Sequence, residues 1–194
     1  MALRCTATPT ALTRIRCSLR ITRKGYGNSI TLAQDVSDFD TACQVLLALS
    51  ETVGARLREA GVRCNSVTVE LKDWRFTSQS HQCVLKSPTD STSVLYDTAC
   101  RLLKEFWDKT PVRLIGLRTS QIQEDPFEQM SLFEDERQKK MRAMEKAVDH
   151  IRGRYGIDSV QRASFLKENS PTPHAVSRKK HLNQASQHNT GKEF

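Results

Sequence analysis

The sequence lacks any apolar run long enough to cross a bilayer. Its longest runs, such as residues 45–49, fall far short of the roughly 20 residues that a membrane-spanning helix needs. The six cysteines include no C-x-x-C pair and none of the clustered spacing that metal sites and disulfide frameworks show. We therefore expect that this is not an integral membrane protein and that its cysteines are reduced thiols in a cytoplasm.

Acidic side chains are scarce relative to basic ones. The 22 aspartates and glutamates are outnumbered by 30 lysines and arginines, which leaves a net charge of +8 at pH 7. Such an excess favours a polyanionic partner, either nucleic acid or an acidic membrane surface. A soluble protein that is merely basic is the alternative. Hydrophobic residues make up 38% of the chain, enough for one modest core but not for a chain folded from end to end.

Strand and helix patterns alternate through the first two thirds of the chain. Strand-like stretches occur at residues 28–32, 66–72, 79–86 and 112–118. A capping box at residues 37–40 begins a first helix, which ends at Gly61. A second helix follows residues 88–90 and ends before Pro111. The order is β-α-β-β-α-β, the split arrangement of ferredoxin-like folds. We predict an α+β domain in which two helices cover one face of a four-stranded sheet and leave the other face open.

Composition divides the chain into five segments. They are a basic extension at 1–22, the folded domain at 23–120, an acidic linker at 121–136, a C-terminal helical segment at 137–166 and a disordered tail at 167–194. The extension is Arg-rich and acid-free, but its apolar residues form no sustained amphipathic face. A basic linker or a scar from a truncated reading frame is therefore favoured over a mitochondrial transit peptide.

The predicted open face gathers hydroxyl and basic side chains, which are candidate contacts to DNA. They are Thr68, Lys72, Arg75, Thr77, Ser78 and Ser80 around one hairpin, with Arg113 and Arg118 on the neighbouring strand. Phosphate oxygens accept hydrogen bonds from such groups, and the basic ones release counterions. An ordinary solvated sheet face favours the same residue types, and Glu70 in its middle argues for that interpretation.

A second candidate contact lies just before the first predicted strand. Lys24, Gly25, Gly27 and Asn28 offer a basic group and exposed backbone amides. Glycines let a backbone approach a phosphate closely and form anion-holding nests. A plain turn is the alternative.

Short runs in unbroken order over about residues 23–166 carry a family resemblance. They are G-N-S-I-T-L at 27–32, V-T-V-E-L-K at 67–72, F-T-S at 76–78, S-H-Q at 80–82, P-T-D-S-T at 88–92, L-Y at 95–96, E-F-W-D at 105–108, P-V-R-L-I-G-L at 111–117 and R-A-S-F-L at 162–166. In these runs the sequence resembles the little finger domain of bacterial Y-family polymerases of the DNA polymerase IV type.

The resemblance implies a domain whose open sheet lies along the major groove of primer–template DNA and grips its phosphates. Two positions depart from the family pattern. The family usually has Lys-Ser-Ile/Val-Gly before the first strand, whereas residues 24–27 read K-G-Y-G and lack the serine hydroxyl. Such domains also prefer a basic residue where Glu70 stands. Both departures weaken the expected grip.

A pentapeptide in the acidic linker resembles the motif that bacterial polymerases insert into the sliding clamp. It consists of Gln129, Met130, Ser131, Leu132 and Phe133. In such a motif a Leu-Phe pair fills an apolar pocket, and a glutamine hydrogen-bonds nearby. The alternative is an apolar island that docks on its own domain. Beside the polymerase resemblance, the clamp motif is favoured.

The family's chemistry is two-metal phosphoryl transfer, with Mg²⁺ held by carboxylates of a palm domain that would precede residue 23. We see no catalytic or metal-binding set in this sequence and no nucleophile–base pair, so we expect no cofactor and no polymerase activity from this chain alone. The sequence predicts binding of (damaged) DNA in translesion synthesis, as a little finger fragment with a sliding-clamp tether. The alternative is a stand-alone DNA- and clamp-binding adaptor that competes with intact translesion polymerases.

Overall fold

The computed structural model describes residues 24–124 and 136–166, which form an α+β fold. The elements in chain order are β1 (Gly25–Val36), α1 (Phe39–Ala60), β2 (Arg63–Asp73), β3 (Ser78–Thr89), α2 (Thr92–Phe106), β4 (Val112–Gln123) and α3 (Glu136–Tyr155), followed by 3₁₀ turns at Ile157–Ser159 and Ala163–Leu166. The predicted β-α-β-β-α-β order is confirmed. The predicted C-terminal helix is also present, as α3.

The four strands form one sheet in the order β1-β4-β2-β3, and every neighbouring pair is antiparallel. Because β4 pairs with both β1 and β2, those two strands run parallel to each other with β4 between them. In the same way β2 separates the parallel strands β3 and β4. Each helix therefore joins two parallel strands that are split by one intervening strand, as the ferredoxin-like pattern predicts.

The core lies between the two helices and one face of the sheet. Val67, Val69 and Leu71 of β2 are buried there, as their alternation with polar residues predicts, and Ile115 and Leu117 of β4 join them. Burial of a large apolar side chain stabilises a fold by about 1.5–3 kcal/mol. These contacts hold both helices on the same face, so the opposite face carries no helix in the described part of the chain.

The first helix begins one residue later than the predicted capping box. Asp38, and not Ser37, is the N-cap, because its carboxylate accepts hydrogen bonds from the backbone amide of Thr41 at 2.9 Å and from the Thr41 hydroxyl at 2.8 Å. These hydrogen bonds hold the pKa of Asp38 below its ordinary value. At its other end the helix stops at Gly61, which adopts the left-handed conformation with φ of 66°, as predicted.

Several predicted boundaries are too narrow. β1 begins at Gly25, so residues 25–27 are not a loop before the strand but its first part. β3 continues to Thr89, and α2 begins only at Thr92. β4 continues to Gln123, so the first residues of the predicted acidic linker belong to the sheet. Cross-strand pairing extends each strand beyond the stretch in which alternation is visible in the sequence.

The third helix packs onto the helix layer through ion pairs. Arg58 of α1 contacts Asp149 at 2.5 Å and Glu145 at 3.2 Å, and Arg142 contacts Asp90 at 2.9 Å. Three large apolar residues of α3 do not pack against the domain, since Met144, Ile151 and Tyr155 are exposed. After α3, the final 3₁₀ turn places Phe165 in the core. The C-terminal segment is therefore held on the domain by ion pairs along α3 and by the buried ring of Phe165 that follows the helix.

The described residues also bear on the expected absences. No helix among residues 24–124 and 136–166 is long and apolar enough to cross a bilayer. The four cysteines in this part of the chain are free thiols, namely Cys43, Cys64, Cys83 and Cys100. Cys64 lies in the core, and its burial raises the pKa of its thiol to about 12. The extension at 1–22 and the tail at 167–194 lie outside the described residues, and the predictions made for them stay predictions.

Candidate nucleic-acid interface

Side chains on the uncovered side of the sheet, called the open face below, form rows that cross all four strands. Register partners in three successive rows are Gly27, Arg118, Thr68 and Gln82; Ser29, Gly116, Glu70 and Ser80; and Thr31, Leu114, Lys72 and Ser78. Successive residues of a strand point to opposite faces, so these rows lie opposite the buried Val67, Val69 and Ile115. Six of the predicted contacts therefore share one surface, namely Gly27, Thr68, Lys72, Ser78, Ser80 and Arg118.

Arg118 stands near the middle of the open face. Its register partners are Gly27 of β1 and Thr68 of β2, neither of which carries charge. The side chain is exposed, and no acidic residue within the described ranges forms an ion pair with it. A recess of about 270 Å³ is lined by Arg118 together with Thr68, Glu70, Gln79 and the two serines of β3, Ser78 and Ser80. One arginine and three hydroxyl residues thus line a space that also borders Glu70 and that is open to an anionic group.

Glycines of β1 and β4 form a shallow groove beside Arg118. The groove has a volume of about 770 Å³, and its lining includes Lys24, Gly25, Gly27, Gly116 and Arg118. The predicted anion nest is wrong, because Gly25 and Gly27 are paired residues of β1. A Cβ at Gly25 would lie 2.2 Å from the carbonyl oxygen of Thr119, so glycine is required for β1 to approach β4. The same absence of side chains leaves backbone as the floor of the groove, with Lys24 and Arg118 beside it.

Two of the predicted contacts lie elsewhere. Asn28 is the register partner of Leu117, whose side chain is in the core, so Asn28 is on the helix side of β1. Its side-chain oxygen accepts a hydrogen bond from the backbone amide of Ser29 at 3.0 Å. Arg113 lies where the register of β4 shifts, and its guanidinium contacts Asp35 at 3.0 Å. Arg113 therefore differs from Arg118 in having a carboxylate partner within the described chain.

The remaining two predicted contacts, Arg75 and Thr77, lie in the turn between β2 and β3. The backbone amide of Thr77 donates to the Asp73 carboxylate at 2.8 Å, and the Arg75 guanidinium lies 4.7 Å from the centre of the Trp74 ring. The turn follows directly on the row that contains Lys72, so it extends the open face at one end. Sequence reasoning missed its two exposed aromatic residues, Trp74 and Phe76, although W-R-F in a turn is an unusual run.

Glu70 lies on the open face, as its position in the strand predicts. Its register partners are Gly116 and Ser80, and its side chain is exposed between the rows of Arg118 and Lys72. It places a negative charge between two positive ones and lowers the local potential. The clamp-like motif at residues 129–133 lies outside the described residues.

The fold and its open face define an α+β domain whose two helices share one side of the sheet and whose exposed charge lies on the other. Residues 23–132 match the impB/mucB/samB family C-terminal domain. This match covers more than half of the chain, so the chain belongs to that family. The resemblance to the little finger domain of polymerases of the DNA polymerase IV type is thereby confirmed.

The curated relatives that the chain resembles are bacterial proteins named DNA polymerase IV. The chain is 30% identical over 145 residues to DNA polymerase IV of Clostridium acetobutylicum, covering 75% of this chain and 37% of that protein. It is 38% identical over 149 residues to DNA polymerase IV 2 of Bacillus subtilis, covering 74% and 35%. The chain thus spans just over a third of the length of these relatives. Among solved structures, it is similar to a complex of the beta-clamp processivity factor with the little finger domain of PolIV, with 22% identity, a TM-score of 0.45, and coverage of 56% of this chain and 98% of that one.

Proposed function

We propose that the chain binds primer–template DNA through the open face, as the little finger of a Y-family translesion polymerase. The observation that carries the proposal is the setting of Arg118. An exposed guanidinium without an acidic partner in the described chain stands among hydroxyls on an uncovered sheet. Arginine hydrogen-bonds phosphate in a planar, bidentate geometry, and each neutralised phosphate releases counterions from DNA.

The dimensions of the face suit a duplex. Four strands about 4.8 Å apart make a face about 15 Å wide, which compares with a major groove about 12 Å wide. A sheet of this width can lie along the groove while its outer strands reach the phosphates on either side. Besides Glu70, Gln82 and Leu114, the side chains that it offers are hydroxyls, one lysine and one arginine, which can all bind phosphate oxygens. We expect these phosphate contacts to make binding independent of sequence.

We further propose that residues 129–133 bind a bacterial sliding clamp as an extended peptide. Their Q-M-S-L-F sequence offers two large apolar anchors and one amide, the chemistry that a peptide groove recognises. DNA on the sheet and clamp on the peptide would then be bound by different parts of the chain. A polymerase that includes this domain would be retained on its template by both.

The test is a salt titration of duplex binding. Fluorescence anisotropy with a labelled blunt duplex of random sequence gives the affinity at each salt concentration. If about four phosphates are neutralised, the log–log slope is about −3 to −4, and Lys72→Ala and Arg118→Ala each make it shallower by about one. Arg113→Ala is the matched control, since its guanidinium already pairs with Asp35, and it changes the slope less.

Two outcomes would contradict the DNA proposal. One is binding that depends on sequence and hardly on salt. The other is a loss of affinity in Arg113→Ala equal to that in Arg118→Ala, because the open face would then not be the binding surface. Equal melting temperatures of the three variants would show that any difference arises in binding and not in folding.

A further inference from the structure

Two aromatic rings are exposed at the turn between β2 and β3, called the hairpin tip below and comprising residues 73–77. Trp74 is 50% exposed and Phe76 is 67% exposed. They are separated by a single residue at the end of the open face. Large apolar side chains at such exposure are commonly scattered singly, whereas a close pair indicates a contact surface.

A cation accompanies each ring. The Arg75 guanidinium lies 4.7 Å from the centre of the Trp74 ring, and the Lys72 ammonium lies 5.4 Å from the centre of the Phe76 ring. Lys72 also belongs to the third row of the open face, opposite Ser78. The two aromatic rings thus form one continuous surface with the side chains of the open face that are proposed to bind phosphates. Alternation of cations and aromatic rings is typical of surfaces that bind single-stranded nucleic acid.

The hairpin tip is held by its own hydrogen bonds. The backbone amide of Asp73 donates to the Thr77 carbonyl, and the Asp73 carbonyl accepts from the Phe76 amide, both at 3.1 Å. The Asp73 carboxylate also accepts from the amide of Thr77 at 2.8 Å. Phe76 has a φ of 65°, in the left-handed region that an aromatic residue rarely adopts. A turn that holds its ring outward in this conformation presents a surface that is ordered before a ligand binds.

We propose that Trp74 and Phe76 form a stacking platform for unpaired bases of single-stranded nucleic acid, adjacent to the duplex on the open face. The inference rests on the proposed function, because a primer–template carries both a duplex and an unpaired template strand. Bases stack on the rings while Arg75 and Lys72 neutralise the phosphates between them. An apolar protein partner is less suited to this site, since docking there would desolvate two cations without a matching charge.

The first test follows the fluorescence of Trp74 during titration with oligo(dT), which forms no duplex. The chain has two tryptophans, and the other, Trp107, is only 8% exposed and donates its indole N–H to the Thr110 carbonyl at 2.9 Å. Stacking of a base on Trp74 therefore quenches the exposed emission. Trp74→Phe abolishes the quench but retains affinity, whereas Trp74→Ala with Phe76→Ala loses both.

The second test compares a blunt duplex with the same duplex carrying a single-stranded overhang. The overhang raises the affinity of the wild-type chain, and the double alanine variant loses this gain while its affinity for blunt duplex is unchanged. Removal of one ring lowers the affinity for the overhang substrate by about 5-fold to 150-fold. Since stacking is not an ionic interaction, the affinity ratio of the two substrates persists at salt concentrations that weaken both.

Tyr155→Ala is the matched control. Tyr155 is 68% exposed and has the Arg154 guanidinium 5.5 Å from its ring centre, but it belongs to α3 and not to the sheet. Its removal leaves the affinity ratio unchanged. All variants retain the wild-type melting temperature, because the removed rings are exposed.

Absence of a quench with oligo(dT), or equal affinity for overhang and blunt substrates, would overturn the inference and leave the proposed function intact. Failure to bind blunt duplex would instead remove the proposed function. Failure of the stacking inference and failure of the proposed function can be distinguished, because the oligo(dT) quench requires no duplex.

Discussion

Glu145 of α3 accepts a hydrogen bond from the backbone amide of Thr92 at 2.9 Å and so caps a helix to which it does not belong. Ser91, the N-cap of α2, makes no side-chain capping hydrogen bond itself. The other carboxylate oxygen of Glu145 contacts Arg58 of α1 at 3.2 Å. One buried carboxylate therefore joins all three helices, and it also brings negative charge to the positive end of the α2 dipole.

Glu145→Ala is expected to lower the free energy of unfolding by about 3 kcal/mol or more, because it leaves a buried amide and part of the Arg58 charge without a partner. Glu145→Gln keeps an oxygen for the Thr92 amide and loses only the charge, so its cost is smaller. Urea denaturation of both variants measures these differences. The exposed Lys146→Ala serves as the control and stays within about 0.5 kcal/mol of wild type. Equal stability of the Ala and control variants would contradict the capping role.

Replacing Glu70 should strengthen DNA binding. Glu70→Gln removes the negative charge between Arg118 and Lys72 and raises duplex affinity by about twofold to fivefold, the range for a solvent-screened charge. Glu70→Lys adds a phosphate contact and steepens the log–log salt slope by about one. Glu59→Gln makes the same change of charge on α1, in the helix layer, and is expected to have less effect. An equal gain in both glutamine variants would mean that net charge matters and the open face does not.

Two glycines should respond differently to alanine. At Gly25 a Cβ would lie 2.2 Å from the Thr119 carbonyl oxygen, so β1 must shift, at a cost of about 2–3 kcal/mol. At Gly61 nothing lies within 4 Å, and the cost is only the strain of alanine at a φ of 66°, about 1 kcal/mol. Thermal or urea unfolding of the two variants tests the ranking. The reverse order would show that β1 is not held close to β4.

The clamp peptide can be tested by removing its apolar anchors. Burial of each large side chain is worth about 1.5–3 kcal/mol, so Leu132→Ala with Phe133→Ala removes about 3–6 kcal/mol and makes a micromolar contact undetectable by titration calorimetry. Glu134→Ala is the control, because a flanking charge that salt screens contributes little to binding. If the double variant loses thermal stability and the wild-type chain binds no clamp, the motif packs on its own domain and the clamp proposal fails.

How far the sequence predicts this site can be seen from Thr68 and Asn28. Thr68 alternates with Val67 and Val69, and that period of two is enough to place it opposite the core. Asn28 begins the predicted strand at 28–32 in phase with Ile30, so the same period already places it on the helix side, and its pairing with Leu117 of β4 agrees. The surroundings of Arg113 could not be predicted in this way, since the register shift beside it has no marker in the sequence.

The sequence by itself determined the order of elements, the helix stop at Gly61 and the family, because these depend on local periodicity, turn chemistry and runs of matched residues. Only the tertiary structure decided which charges remain available to a ligand. Arg113 and Arg118 are both arginines of β4, yet one contacts Asp35 and the other stands among hydroxyls. Glu145 reaches an amide 53 positions away along the chain. Such partners are selected by the packing of distant segments, and local patterns do not encode them.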